Sequence, residues 1–172
     1  MTVIAWDGHV LAADRQVTNG DTVSSGIKLW PLKQGGAVAV CGALSQGLAL
    51  RRWVEEGMIR EKFPAVKEDE EWARLIVALP GKPVIMFENT PEAIEVIDPF
   101  LAWGCGREAA LGAMEMGADA ITAVKIASKW IVGCGNGCDY VIVNNKRNVS
   151  APKRYNSKGW GADGLERKAV GI

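Results

Sequence analysis

The chain has a single histidine, His9, among its 172 residues, and that scarcity removes two chemistries at once. Zinc sites draw on several histidines or on paired cysteines at ligand spacing. Here the four cysteines, Cys41, Cys105, Cys134 and Cys138, are scattered, and Cys134 and Cys138 have no second pair to complete four ligands. No metal and no other cofactor is expected. A cysteine nucleophile at Cys105 would likewise lack its base, since nothing in the sequence places His9 beside it. Long apolar runs are also missing: the longest are strand-length, well short of the ~20 residues of a membrane span. The opening MTVIAWDGHV has neither a basic n-region nor an apolar h-region, so the chain is expected to be cytoplasmic, with free thiols and no membrane contact. No stretch resembles a P-loop, so any ATP-driven step would have to come from a separate partner. No repeat period is evident.

Net charge is absent too, but only in sum. Residues 1–145 hold 13 Lys and Arg against 18 Asp and Glu, a net of −5, whereas residues 146–172 hold 7 against 2, a net of +5. The first span reads as one globular domain, because 48% hydrophobic and 23% charged residues are ordinary for a packed fold. The second, with Gly, Ser, Asn and Pro and no apolar periodicity, reads as a basic, irregular C-terminal extension. Its basic residues, interleaved with Tyr155 and Trp160, would suit nucleic acid or an acidic neighbouring subunit, but a solvated terminus is the plainer expectation. The other six tryptophans fall mostly in apolar segments and are expected in the core or at subunit interfaces rather than stacked on bases.

The order of elements is legible from periodicity and turn residues. TVIAW and HVLAAD flank Asp7-Gly8, a hairpin signal. Apolar runs at Ile27 to Trp30 and Ala37 to Cys41, separated by Pro31 and Gly35-Gly36, predict a second antiparallel pair. From Ser45, Leu48, Ala49, Trp53, Val54 and Met58 recur at helical spacing and Gly57 ends the run. After the charged EKFPAVKEDEE come three short strands, ARLIVALP, PVIMFE and AIEVI, broken by prolines. REAALGAMEMG and ADAITAVKIASKWI predict two successive helices, the second capped by Asp119, and CDYVIVN a last strand. Strands and helices are grouped rather than alternating, which predicts an α+β layered sandwich.

Two constellations bear on chemistry. Thr2 follows Met1, and removal of Met1 would leave a threonine carrying both a hydroxyl and a free α-amine, a nucleophile and its own base in one residue. Asp14 closes the second strand of the hairpin, whose return brings it back towards Thr2. Lys28 lies in the next apolar stretch, TVSSGIKLW; buried, it needs a partner such as Asp14, and under simple alternation it faces solvent instead. The second constellation, Gly104-Cys105-Gly106-Arg107-Glu108-Ala109, fits the dinucleotide pattern GxGxxA, but it lacks the acidic residue that should follow about 20 positions on.

Thr2, GHVLAADRQVTNGDTV with Asp14, Lys28, AVCGALSQG with Gly42, and WGCGREAALGAM followed by IVGCGNGCDYVIV together resemble the proteasome β-subunit and HslV-type peptidases. These are N-terminal nucleophile hydrolases, and the likeness extends to short proteasome-like proteins of bacteria and their phages. It runs from Thr2 to about Asn144. It implies a four-layer αββα sandwich and a threonine peptidase that cuts peptides or unfolded proteins through an acyl-enzyme, within a homo-oligomeric ring fed in some cases by a separate ATPase unfoldase. Thr2 would be nucleophile and base; Lys28, held by Asp14, would lower the pKa of the hydroxyl and amine; the Gly42 N–H would stabilise the oxyanion. Cys105 stands where the family has serine in a Gly-Ser-Gly turn, and Ile131 where many members carry aspartate. Both belong to the network that supports the threonine, so the alternative is a catalytically inactive ring or scaffold subunit.

Overall fold

A computed structural model describes residues 1–66 and 72–143; the basic extension 146–172, with Tyr155 and Trp160, lies outside the described residues. The chain opens with β1 (Val3–Trp6) and β2 (Val10–Asp14), antiparallel, with Ile4 opposite Ala13 and Trp6 opposite Leu11. Gly8 turns the hairpin at φ 89°. Asp7 fixes that turn, accepting from the backbone N–H groups of His9 and Val10 at 3.0 and 2.7 Å.

A small hairpin follows, β3 (Gln16–Asn19) and β4 (Thr22–Ser25), and then β5 (Leu29–Pro31) and β6 (Ala37–Gly42), paired as the sequence predicts. Lys28 therefore lies outside a strand, in the link between β4 and β5. This irregular link breaks the alternation assumed for TVSSGIKLW: Ile27 is 59% exposed, whereas Lys28, only 3% exposed, and Leu29 are both buried.

Helix α1 (Leu44–Glu55) starts where expected, but its buried face is Gly47, Leu50, Trp53 and Val54. Leu48 faces outward. A short 3-10 turn at Arg60–Lys62 precedes β7 (Ala73–Ala78), β8 (Val84–Phe87) and β9 (Ile94–Val96). Then come β10 (Leu101–Gly104), α2 (Arg107–Glu115), α3 (Ala120–Trp130) and β11 (Cys138–Ile142). The Asp119 carboxylate caps α3 by accepting from Thr122 N–H, and Asp7 Oδ2 accepts from Ala120 N–H at 2.9 Å, tying the first hairpin to the helix.

Among the described residues the other strands form two larger sheets beside the β3-β4 hairpin, ordered β10-β1-β2-β11 and β5-β6-β7-β8-β9, with all paired strands antiparallel. Because successive side chains in a strand point to opposite faces, each central strand serves two cores. Ile4, Trp6, Leu11 and Ala13 meet Ala37, Ala39, Ile76 and Ala78 between the sheets. On the outer face of the first sheet, Val3, Ala5 and Ala12 pack against Ala110, Ala123, Val124 and Ala127 of α2 and α3. Val38, Val40, Leu75 and Val77 receive Leu50, Trp53 and Val54 of α1 on the outer face of the second. The layers are helices, sheet, sheet, helix, the α+β αββα sandwich. Burying each large aliphatic or aromatic chain contributes roughly 1.5–3 kcal/mol, and strands buried on both faces explain the near-continuous apolar runs.

Candidate functional site

Thr2 directly precedes β1 and is buried against the turn that follows β10. Gly104, at φ 87°, lets that turn close: a Cβ there would sit 2.1 Å from the Thr2 carbonyl oxygen. Gly106 N–H donates to the same oxygen at 3.3 Å. Asp14, the last residue of β2, lies beside Val3 by the hairpin register, and its Oδ1 accepts from Val3 N–H at 2.9 Å. Its Oδ2 accepts from Gln16 N–H at 3.2 Å and from Gly135 N–H at 3.0 Å. Three backbone donors thus hold a fully buried carboxylate in one orientation.

The Lys28 ammonium is directed at this carboxylate. Its Nζ lies 2.7 Å from Asp14 Oδ1, 2.6 Å from the Gln16 carbonyl, 3.0 Å from Thr2 Oγ1 and 3.1 Å from the Met1 carbonyl. An ammonium has three N–H bonds, so four acceptors compete for three donors. Thr2 Oγ1 in turn donates to the Met1 carbonyl at 2.6 Å. The buried ion pair is compensated by hydrogen bonds on both partners, the condition under which such a pair is tolerated.

Two clefts flank Thr2. One, of about 360 Å³, runs past Cys41, Gly42, Gly104 and Cys105 and carries Trp72, Arg74 and Arg107 at its wall; the other, of about 280 Å³, is lined by Val17, Thr18, Val40, Ala43 and Leu44. Gly42, at φ 100°, borders both, and Met1 projects into both. Arg74 is paired with Glu88 and lies over the Trp72 ring at 5.3 Å.

Cys105 Sγ accepts from Thr2 N–H at 3.3 Å and stands 3.5 Å from Cys134 Sγ. Burial pushes the Cys134 thiol up to about 12, with the neighbouring Cys105 adding to the shift, and pushes Cys41 up to about 11. Both stay protonated at neutral pH and are poor nucleophiles. His9 sits in the turn at the far end of β1 from Thr2.

Thr2, Asp14, Lys28, Gly42 and Cys105 therefore converge in one place. Ile131, at the end of α3, packs with the helix-side core instead. The glycines of the GxGxxA match are accounted for by packing: Gly104 against Thr2, and Gly106, whose Cβ would come within 2.8 Å of Val3 Cβ and Cys134 Sγ. Two contributors escaped the sequence reading. Gln16 supplies its N–H to Asp14, its carbonyl to Lys28, and its side-chain amide to the Val132 carbonyl at 2.9 Å; Gly135 supplies its N–H to Asp14. Most of these are backbone groups, which leave no side-chain signature.

No family model and no curated protein sequence matches the chain. Solved structures do. HslV from Trypanosoma brucei superposes with a TM-score of 0.63 at 21% identity, over 83% of this chain and 98% of that one. BPH from Thiobacillus denitrificans, at 19% identity, gives 0.61 in its complex with epoxomicin, over 83% and 98% of the two chains, and 0.60 alone, over 83% and 96%. The agreement spans nearly the whole length of each neighbour, so the chain has the fold of HslV and BPH.

Proposed function

We propose that the protein is a threonine peptidase in which Thr2, freed of Met1, attacks peptide bonds. The observation that carries this reading is the buried chain Thr2 Oγ1, Lys28 Nζ, Asp14 Oδ1, with spacings of 3.0 and 2.7 Å. A lysine held this way places fixed positive charge beside the hydroxyl, where an alkoxide forms, in a site largely closed to water. Removing Met1 takes away one of the four acceptors around Lys28 and leaves three for its three N–H bonds. It also removes the carbonyl that now takes the Thr2 hydroxyl proton, and puts an amine on the same residue as the new proton acceptor.

The chemistry then follows. The amine takes the hydroxyl proton as Oγ1 bonds to the scissile carbonyl carbon. By the family resemblance, the Gly42 N–H stabilises the oxyanion. Collapse of the tetrahedral intermediate breaks the C–N bond, and the departing amine leaves with the proton returned by the α-ammonium. Water, deprotonated by the same amine, hydrolyses the ester. Substrates are peptides or unfolded proteins reaching Thr2 through the two clefts. By likeness of fold the working form is a homo-oligomeric ring, with a domain ending near residue 145, in the cytoplasm, and with any ATP-driven unfolding supplied by a separate protein.

Epoxomicin, found in complex with BPH, is an epoxyketone that needs a free amine beside a hydroxyl for its ring adduct. Intact mass of the purified protein before and after exposure should show loss of Met1 and one adduct, absent in Thr2→Ala. A retained Met1, or a free Thr2 that never reacts, would reject the peptidase reading and assign the chain to a silent ring subunit.

A further inference from the structure

We infer that Cys105 and Cys134 form a reversible disulfide that disturbs the Thr2 site, an oxidation site of this chain; its effect on turnover rests on the peptidase reading above. The two sulfurs are 3.5 Å apart and belong to different turns, one leading into α2 and the other following α3. Two bare backbone positions let them approach. A Cβ on Gly106 would come within 2.8 Å of Cys134 Sγ, and one on Gly133 within 3.0 Å of Cys105 Sγ. A disulfide needs the sulfurs to close to about 2.05 Å, a combined movement of about 1.5 Å, within reach of rotamer and loop adjustment.

The surroundings assign the roles. Cys105 borders the cleft beside Thr2, where a small oxidant reaches it, whereas Cys134 is 3% exposed. The Thr2 N–H points at Cys105 Sγ from 3.3 Å, so a change at this sulfur is felt at Thr2. With a peroxide as oxidant, Cys105 sulfur attacks one peroxide oxygen. The O–O bond breaks, water leaves, and Cys105 carries a sulfenic acid. Cys134, protonated and a weak nucleophile by itself, is held 3.5 Å away: its proton passes to the departing oxygen as its sulfur bonds to Cys105 sulfur, the S–O bond breaks, and a second water leaves. Two thiols have lost two electrons and two protons, and the peroxide has become two waters.

Each cysteine is one step from a group that holds the site. Cys105 faces the nitrogen that becomes the Thr2 amine, and Cys134 precedes Gly135, whose N–H holds Asp14 Oδ2 at 3.0 Å. Drawing the sulfurs together moves the first partner away from Thr2 and pulls on the loop that grips Asp14. A misplacement near 1 Å in a reacting constellation costs on the order of 10²-fold in rate.

The test treats the full-length protein with hydrogen peroxide and reads intact mass, a peptide map and the rate of epoxomicin addition to Thr2. The expected result is loss of two hydrogens, a peptide linking Cys105 to Cys134, and an addition rate lower by roughly ten- to a hundredfold, restored by dithiothreitol. Cys134→Ala should react normally when reduced and gain oxygen at Cys105 under peroxide instead of losing hydrogen. Cysteines that only gain oxygen in the wild type, or a linkage to Cys41 or Cys138, would overturn the bond. A Cys105–Cys134 bond with an unchanged addition rate would overturn its control of the site. If Thr2 fails to react in the reduced protein, the peptidase reading and the control of turnover fall together, while the mass and the map still decide on the bond.

Discussion

Lys28 Nζ stands 3.0 Å from Thr2 Oγ1, and both residues are at least 96% buried. An ammonium in that position is costly unless it is used, and Asp14 and the Gln16 carbonyl make it tolerable. Lys28→Met keeps the length of the side chain and removes the charge. Asp14 keeps three N–H donors but loses its counter-ion, so the variant should lose about 3 kcal/mol in urea unfolding. Its reaction with epoxomicin should slow by roughly 10²–10³-fold, the scale seen when a preorganised stabilising group is removed. A folded variant that reacts at the wild-type rate would show that Lys28 is only structural.

Gly42 offers a sharper contrast. Its φ of 100° disfavours any side chain, and a Cβ there would meet the Trp72 carbonyl at 2.6 Å and Ala73 Cα at 3.0 Å. Both are backbone atoms of the neighbouring segment and cannot swing aside. Gly57 has nearly the same φ, 96°, but among the described residues nothing lies within 4 Å of its would-be Cβ. Gly57→Ala should therefore cost only the left-handed strain, about 1–2 kcal/mol, with Thr2 reactivity intact. Gly42→Ala should cost more in a urea melt and abolish epoxomicin addition, because β6 must shift where its end borders Thr2. Equal effects of the two substitutions would remove Gly42 from the site.

What could be read from the sequence follows from how locally each feature is encoded. The first hairpin was legible because Asp7-Gly8 and two apolar runs lie within a dozen residues, and Asp14 came with it, since an antiparallel return fixes where a strand ends. The αββα layering followed from grouped elements together with the family resemblance. The β3–β4 hairpin was not legible: β4 is exposed along its whole length, so no burial pattern marks it. Strand β10 is four residues long and was hidden by the glycine motif that follows it. The face of α1 was legible at Trp53 and Val54, and at Met58 just beyond its end, but not at its start, where Leu48 turns outward and Gly47, which packs directly on Val40, carries no hydrophobic signal. For Lys28 the sequence left solvent and burial open, because the link that carries it is not a strand and does not alternate.

Cys105 accepts from Thr2 N–H and donates to the Thr2 carbonyl at 3.3 and 3.4 Å, long contacts typical of sulfur. A hydroxyl is both a stronger donor and a stronger acceptor. Cys105→Ser should therefore hold the Thr2 nitrogen more firmly and raise the rate of epoxomicin addition by roughly three- to tenfold, the worth of about 1 kcal/mol in one hydrogen bond. Stability should change little, since the position is only partly buried. A slower variant would mean that the sulfur itself, by size or polarisability, suits this site.

Asp119 tests the helix layer against pH. Its carboxylate accepts from Thr122 N–H at 2.7 Å at the start of α3, and that backbone bond holds its pKa below the ordinary 3.8. A depressed folded pKa means that the ionised form is the one favoured by folding, so its contribution is complete above the unfolded value near pH 4 and fades as pH falls through the folded value. At pH 7, Asp119→Ala should destabilise the protein by about 1 kcal/mol, the usual cost of losing an acidic N-cap. The remaining cap from Asp7 to Ala120 should keep α3 formed, so the loss should stay near that figure. Urea midpoints of wild type and variant, measured in parallel from pH 7 down towards pH 2, should converge below pH 4. A gap that stays constant over that range would mean that Asp119 contributes by its shape and not by its charge.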